Sequence, residues 1–300
     1  MKSLREMVFG YTEIPEGKTL VDPHAHFHRN LDPNDLVEAM FDRGVGVQAV
    51  CDYVLEKGDS SHVFQYQELV DRLRSCDGLS VKSSDRYSTK VQRGDQRLML
   101  FQGREIESFV EGSAGGFLHD RHCMHIVVYG PEQGFDDAEE ILKSNLDSHI
   151  SAVIAHPFTI PARVISFVYA NREEREVVVK LARKYQARLE GLNSANALWM
   201  APTNRLVREA AEPKKDRPRI GIVGSTDAHA RPDLELTRQQ LGIAGTLIQN
   251  GYTNSLWETQ GEDFLRGLNK AFTSGEIYGR VQDPILFFKV MVMPRLKNLF

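Results

Sequence analysis

The stretch Val21–Asn30, VDPHAHFHRN, places three histidines within five residues, His24, His26 and His28, directly behind the apolar run Thr19-Leu20-Val21. An apolar run that ends in His-x-His reads as a buried strand opening into a polar site. Residues two apart in an extended segment point to the same side, so His24 and His26 can reach one ion together. By itself a His-x-His suits a polar loop equally well. What stands at the ends of the other strands therefore decides its meaning.

Six further β-rich runs follow: VQAVCD (47–52), RLMLFQG (97–103), CMHIVVYG (123–130), AVIAHP (152–157), ARLEG (187–191) and IGIVGS (220–225). With TLVDPH (19–24) they make seven, each apolar on both faces, as in strands buried within a parallel sheet. Helical patterns lie between most of them. Asp32-Pro33 supplies a cap and a first-position proline. Asn171-x-x-Glu174 and Asp136-x-x-Glu139 have capping-box spacing. Strands alternating with helices predict an α/β fold of parallel β/α architecture. Residues 1–240 are expected to form it, with 241–300 packing on it as a C-terminal segment. Residues 57–96 read as a polar insertion in which HVFQYQELVDRLRS forms a helix and the stretch after it, CDGLSVKSSDRYSTKVQRGDQ, lacks periodicity and is a lid or a mobile insertion, and ILFFKVMVM near the end reads as a final strand or packing tail.

Composition narrows the classes. The chain has 300 residues, 41% hydrophobic and 26% charged, with a formal net charge of −4. That is ordinary globular composition, with no global basic field for nonspecific nucleic-acid binding. Nucleic acid held in a local site stays open as a substrate. No apolar signal segment opens the chain and no apolar run is long enough to span a bilayer, so no membrane partner is expected. The three cysteines, Cys51, Cys76 and Cys123, are scattered and read as free thiols in a reducing compartment; the cytoplasm is the expected location.

In β/α barrels reactive groups collect at the C-terminal ends of strands. Asp22, His24 and His26 follow the first run, and Asp52 and Tyr53 the second. Glu105 follows the third, His125 stands in the fourth, and His156 ends the fifth. Glu190 and Asn193 end the sixth, and Asp227 and His229 follow the seventh. Imidazole and carboxylate donors suit Zn, Mn or Fe, and no thiolate takes part. A carboxylate such as Glu105 can bridge two ions. Asp22 and Asp52 are candidates to orient histidine rings, and Arg163 and Arg231 to contact phosphate.

The motifs VDPHAH, AVCDY, FQGREIE, MHIVVYG, AHP, LEGLN and STDAH, spread over residues 19–230, resemble those of the PHP-domain (polymerase and histidinol phosphatase) family. The resemblance implies a distorted seven-stranded (β/α)7 TIM-like barrel and a metal-dependent phosphoesterase. It places His24, His26, Glu105 and Asp227 on a first metal, with Glu105 bridging to a second held by His125 and His156. In three-metal members a loop group, a histidine in Thr-Asp-His and the last histidine of Asp-x-His hold a third ion. Here His229 remains, the loop is short, and Tyr53 replaces the second of these. Tyrosine is a poor ligand while its phenol, with a pKa near 10, stays protonated. Two firmly held ions are expected, with a third weak or absent and His28 a possible substitute ligand.

The implied reaction is hydrolysis of a phosphate ester by water activated between the ions, with Glu105, Asp227 and His229 as the catalytic set. The substrate is expected to be a phosphorylated small molecule, a nucleotide or a short oligonucleotide. Two readings stand beside it: another metal-barrel hydrolase (an amidohydrolase or a TatD-like nuclease), and a metal-binding barrel without catalysis.

Overall fold

The computed structural model describes residues 13–54, 61–109, 123–130, 137–147, 151–161, 167–195, 201–213, 217–229, 231–280 and 282–293. Strand β1 (Lys18–Asp22) runs into the histidine stretch and then helix α1 (Pro33–Asp42). Asp32 caps that helix, accepting from the Asn34 and Asp35 amides, with Pro33 in its first turn. Strand β2 (Val45–Val54) and helix α2 (Tyr66–Leu73) follow. Next come β3 (Ser80–Ser84), β4 (Ser88–Arg93), the long β5 (Gln96–Phe109) and β6 (Cys123–Tyr129).

Helix α3 (Ala138–Asp147) and β7 (Val153–Ile154) lead to a small hairpin, β8 (Thr159–Pro161) and β9 (Phe167–Tyr169). Then follow α4 (Arg172–Lys184), β10 (Arg188–Asn193), α5 (Ala201–Ala211), β11 (Ile222–Ser225) and α6 (Leu234–Gln240). The remaining elements are β12 (Ala244–Gln249), α7 (Asn250–Glu258), α8 (Gly261–Thr273), β13 (Glu276–Gly279) and α9 (Pro284–Phe287). A π-helical turn, Phe288–Val292, extends α9.

The strands form one nearly closed barrel in the order β11-β10-β7-β6-β5-β2-β1-β12-β13, with β3 and β4 attached beside β5. This corrects the expected seven-stranded parallel barrel: the path holds nine strands of mixed direction. β1–β2, β2–β5, β7–β10 and β10–β11 are parallel, whereas β5–β6, β6–β7, β1–β12 and β12–β13 are antiparallel. A parallel return needs a crossover, usually helical. β6 instead returns beside β5 in the opposite direction, which needs no crossover.

Two other expectations change. Within 57–96, β3 and β4 form a hairpin, and β4 turns through Gly94-Asp95 into β5, pairing Arg93 with Gln96. The described part is helix α2 followed by ordered sheet, not a structureless loop; residues 57–60 lie outside the description. The segment ILFFKVMVM is helical, because Asp283 accepts from the Ile285 and Leu286 amides at 2.9 and 3.0 Å and caps α9. The Asp136 cap lies outside the described residues; Asp137 accepts from the first-turn amides of α3.

Inward-facing residues alternate along each strand and form the barrel interior: Val47, Ala49 and Cys51 on β2, Met99 and Phe101 on β5, Val127 and Tyr129 on β6. Phe264, Leu265 and Leu268 of α8 join this cluster. The same phase carries Glu105 on β5, His125 on β6 and Glu190 on β10. Because β6 runs backwards, His125 sits near its start and still reaches the end of the barrel where β2 and β5 finish.

The seam lies where β11 approaches β12. A Cβ on Gly224 would come within 2.3 Å of the Gly245 carbonyl oxygen, so the close approach requires glycine there. Thr246 Oγ1 bridges the seam, 3.0 Å from the Gly224 amide and 3.3 Å from its carbonyl. Above it the histidine stretch completes the closure: Asp227 N–H donates to the His24 carbonyl (2.8 Å) and His26 N–H to that of Ala228 (2.7 Å).

Candidate metal centre

Two donor groups meet at this end of the barrel: His24, His26 and Asp227, and beside them Glu105, His125 and His156. Glu105 faces both. Its Oε2 lies 3.4 Å from His24 Nε2 and 3.0 Å from His26 Nε2; its Oε1 lies 2.7 Å from His125 Nδ1 and 3.2 Å from His156 Nε2. Asp227 Oδ1 stands 3.6 Å from His24 Nε2 and 4.0 Å from His26 Nε2. His24 and His26 are fully buried.

The donor set suits cations on its own chemistry. His24 Nδ1 faces Glu190 Oε1 at 3.1 Å, and His26 Nδ1 faces the Cys51 carbonyl at 2.9 Å. Both partners only accept, so in the neutral rings the N–H sits on Nδ1 and the lone pair on Nε2. These two Nε2 atoms stand 3.1 Å apart. Two lone pairs and two carboxylate oxygens then converge with no donor among them, an arrangement only a proton or a cation relieves. Ligands about 2.1 Å from one tetrahedral ion stand roughly 3.4 Å apart, close to these separations.

The electrostatics agree. Burial pulls the His24 ring down, but the Asp227 and Glu105 charges outweigh it and carry it well above the usual range. Burial pushes the Glu105 carboxyl up, yet the His125 and His24 charges, with hydrogen bonds from His125 and His156, hold it well below. Burial raises the Cys51 thiol to about 12, which removes it as a thiolate donor.

Glu190, which the sequence placed at a strand end without a role, holds both groups. Besides the His24 ring it takes the His156 amide (2.6 Å), the Asn193 side-chain amide (2.7 Å) and the Ser225 hydroxyl. Asn193 in turn donates to Asp227 Oδ2 at 3.0 Å. His156 and Asp227 both have positive φ, +29° and +46°. Such backbone costs roughly 1–3 kcal/mol per non-glycine residue and persists only where the surroundings fix it. Glu190 fixes His156, and the His24 carbonyl fixes Asp227.

Asp22 and Asp52 do not orient the rings as expected. Asp22 accepts from the His24 and Thr226 amides and the Thr226 hydroxyl; Asp52 pairs with Arg104 at 3.3 Å. Ring orientation falls instead to Glu190 and a backbone carbonyl, the latter invisible in a side-chain reading.

The remaining candidates lie around the rim. His229 Nδ1 bonds the Asp227 carbonyl at 2.8 Å, which leaves the lone pair on Nε2. Tyr53 stacks on His26 with ring centroids 3.8 Å apart, and burial raises its phenol well above 10. His28 belongs to neither donor group; its Nδ1 accepts from the Asn30 amide at 3.1 Å. Arg231 Nε donates to the Val290 carbonyl at 2.8 Å, tying the C-terminal turn to the site's edge. Arg163 lies outside the described residues.

Fold and site together define an α/β protein whose nearly closed mixed barrel carries two adjacent buried donor groups joined by one carboxylate. No protein-family model and no curated protein matches the chain. Among solved structures it is similar to PsfC from Pseudomonas syringae PB-5123, with a TM-score of 0.54 and 14% identity over 95% of this chain and 100% of that one. A second likeness is to the lesion-specific endonuclease PfuEndoQ from Pyrococcus furiosus, with a TM-score of 0.44 and 14% identity over 87% of this chain and 57% of that one. Among the described residues no helix is long and apolar enough to cross a membrane.

Proposed function

We propose that the protein is a metal-dependent phosphoesterase of the PHP type, using two divalent ions drawn from Mn, Zn and Fe. The observation that carries this reading is the division of Glu105, one oxygen toward His24 and His26 and the other toward His125 and His156. A carboxylate so divided suits a pair of neighbouring ions. Bound there, divalent ions would lower the pKa of a water and offset the charge of a phosphoryl group.

The chain's own residues do the rest. Glu190 and the Cys51 carbonyl keep the lone pairs of His24 and His26 facing inward. Asn193 fixes the second oxygen of Asp227. Burial holds the His229 ring down to about 4, so near neutral pH it is uncharged, with its Nε2 lone pair available. That suits it to hold a cation or accept a proton; donating one to a leaving group would first require charging the ring. Tyr53, kept as a phenol, offers a neutral hydroxyl where a third-ion ligand would stand.

The test is a panel of phosphate esters, from aryl phosphate to nucleotides and short oligonucleotides, run with Mn, Zn and Fe separately. Hydrolysis that disappears in Glu105→Gln supports the reading. Amide hydrolysis without phosphate release would favour an amidohydrolase. Metal uptake without any turnover would leave a binding barrel.

A further inference from the structure

A groove of about 900 Å³ lies on the outer wall of the barrel between α4 and α5, away from the donor groups. Its lining includes Arg172, Arg175, Lys180, Arg183 and Arg217, with Phe158 at its floor. Arg172 with Arg175 and Lys180 with Arg183 are i,i+3 pairs, so they form a broken stripe on the side of α4 that lines the groove, with Glu176 and Val179 between the pairs. Its two carboxylates are already engaged: Glu176 pairs with Arg172 at 2.9 Å, and Glu209 with Arg205 at 3.4 Å. Among the described residues no carboxylate stands within ion-pair distance of Arg175, Lys180, Arg183 or Arg217. Among the described residues, a chain of net charge −4 thus gathers five cations against two carboxylates in one groove.

Like charges repel, and this groove keeps them together. Burial and the nearby Arg217 charge pull the Arg183 guanidinium below its usual range. Arg183 donates to the Ala210 carbonyl at 3.0 Å, while its buried Nε has no partner. Arg175 lies over the Phe158 ring, 6.0 Å from its centroid. From Arg175 to Arg183 the stripe covers about 12 Å of helix. That is a row of charges, matched to a chain of phosphates better than to a single one, and guanidinium groups fork onto phosphate oxygens. One lining residue is close in sequence to the second donor group. Phe158 is two residues from His156, and its carbonyl accepts from Ala170 just ahead of α4, at 3.0 Å.

We infer that the α4–α5 groove binds the phosphodiester backbone of a single-stranded nucleic acid and leads that strand toward the metal centre. Its role as substrate guide rests on the phosphoesterase reading. The strand binding itself does not.

The experiment measures binding of a fluorescein-labelled single-stranded oligonucleotide to metal-stripped full-length protein across a salt series. Aryl phosphate hydrolysis by the metal-loaded protein is measured alongside. Four neutralised phosphates give a log–log salt slope of about −3. Lys180→Gln with Arg217→Gln changes two exposed side chains; it should halve that slope and weaken binding about tenfold at low salt. Aryl phosphate turnover should not change. An unaltered slope in the double variant, or equally tight binding of polyglutamate, overturns the groove assignment. Strand binding with the expected slope but no hydrolysis of any ester would overturn the phosphoesterase reading and leave the groove standing.

Discussion

The two donor groups share Glu105 but are built differently. His24 and His26 are fully buried, and each ring is fixed through its second nitrogen, one by Glu190 and one by the Cys51 carbonyl. The second group is more open: the His125 side chain is 13% exposed, and it comes from a strand running against its neighbours. Fixed orientation and exclusion of water both favour cation binding, because little has to reorganise when the ion arrives. The first group should therefore hold its ion more tightly than the second. Titration of metal-stripped protein should show two unequal sites, and two equal affinities would break the comparison.

Removing the shared carboxylate should have the largest effect. Glu105→Gln removes the carboxylate oxygen that each group shares, leaving Asp227 as the anionic donor of the first group and none in the second. Several kcal/mol of charge stabilisation go with it, a loss of at least about a thousandfold in turnover. Metal analysis should show the second ion lost first. Next is Glu190→Gln, which keeps the shape but offers one acceptor oxygen to four donors. Losing a partner behind a ligand costs 10–100-fold in metal affinity, by the usual scale of such contacts. Because Glu190 holds the His24 ring and the His156 backbone, both ions should weaken. His125→Asn should weaken only the second. Calorimetric titration separates these patterns, and a Glu190 variant that weakens one site alone would sever the link between the groups.

Acid should act on the edge of the first group. Burial lowers the His229 ring to about 4 from an ordinary 6.5. Between those values the unfolded chain takes up a proton that the folded protein refuses, so metal-free stability falls as pH drops from 6.5 toward 4. By pH 5 this amounts to about 1–2 kcal/mol. Asp22, raised to about 6 by burial, works in the opposite direction, since its folded form keeps a proton that the unfolded chain releases. Urea unfolding at pH 7 and pH 5, comparing wild type with His229→Gln, cancels the Asp22 contribution. The wild type should lose more stability than the variant by that amount.

Local signals were legible in the sequence where one residue type does one job. Asp32-Pro33 caps α1, and Asn171 and Glu174 close a capping box on α4. Asp283-Pro284 is the same signal, yet the apolar run behind it reads in sequence as a strand or a packing tail, since a short apolar run does not distinguish strand from helix. The seven alternating runs gather the candidate ligands at strand ends but do not give strand direction, which depends on connections rather than on the strands. His125, inside its run rather than at the end, reaches the other candidate donors because an antiparallel strand brings its beginning to the end where its neighbours finish. Glu190 was visible as a residue but not as a hub, because its four partners come from residues 24, 156, 193 and 225. Such convergence exists only after folding.

The smallest effect should come from Tyr53, and it separates packing from ligation. Tyr53 stacks on His26 at an interplanar angle of 16°, so its ring braces the first group from one side. Tyr53→Phe keeps that ring and removes only the hydroxyl. Burial already holds the phenol well above 10, so no phenolate is lost near neutral pH. Affinity of the first ion should stay within about threefold of wild type, less than the 1.4 kcal/mol that corresponds to a tenfold change. Tyr53→Ala removes the brace as well, and should loosen the first ion while leaving the second unchanged. If Tyr53→Phe instead costs a whole ion, the hydroxyl is a ligand, and the first group's advantage comes from an added donor rather than from a ring held in place.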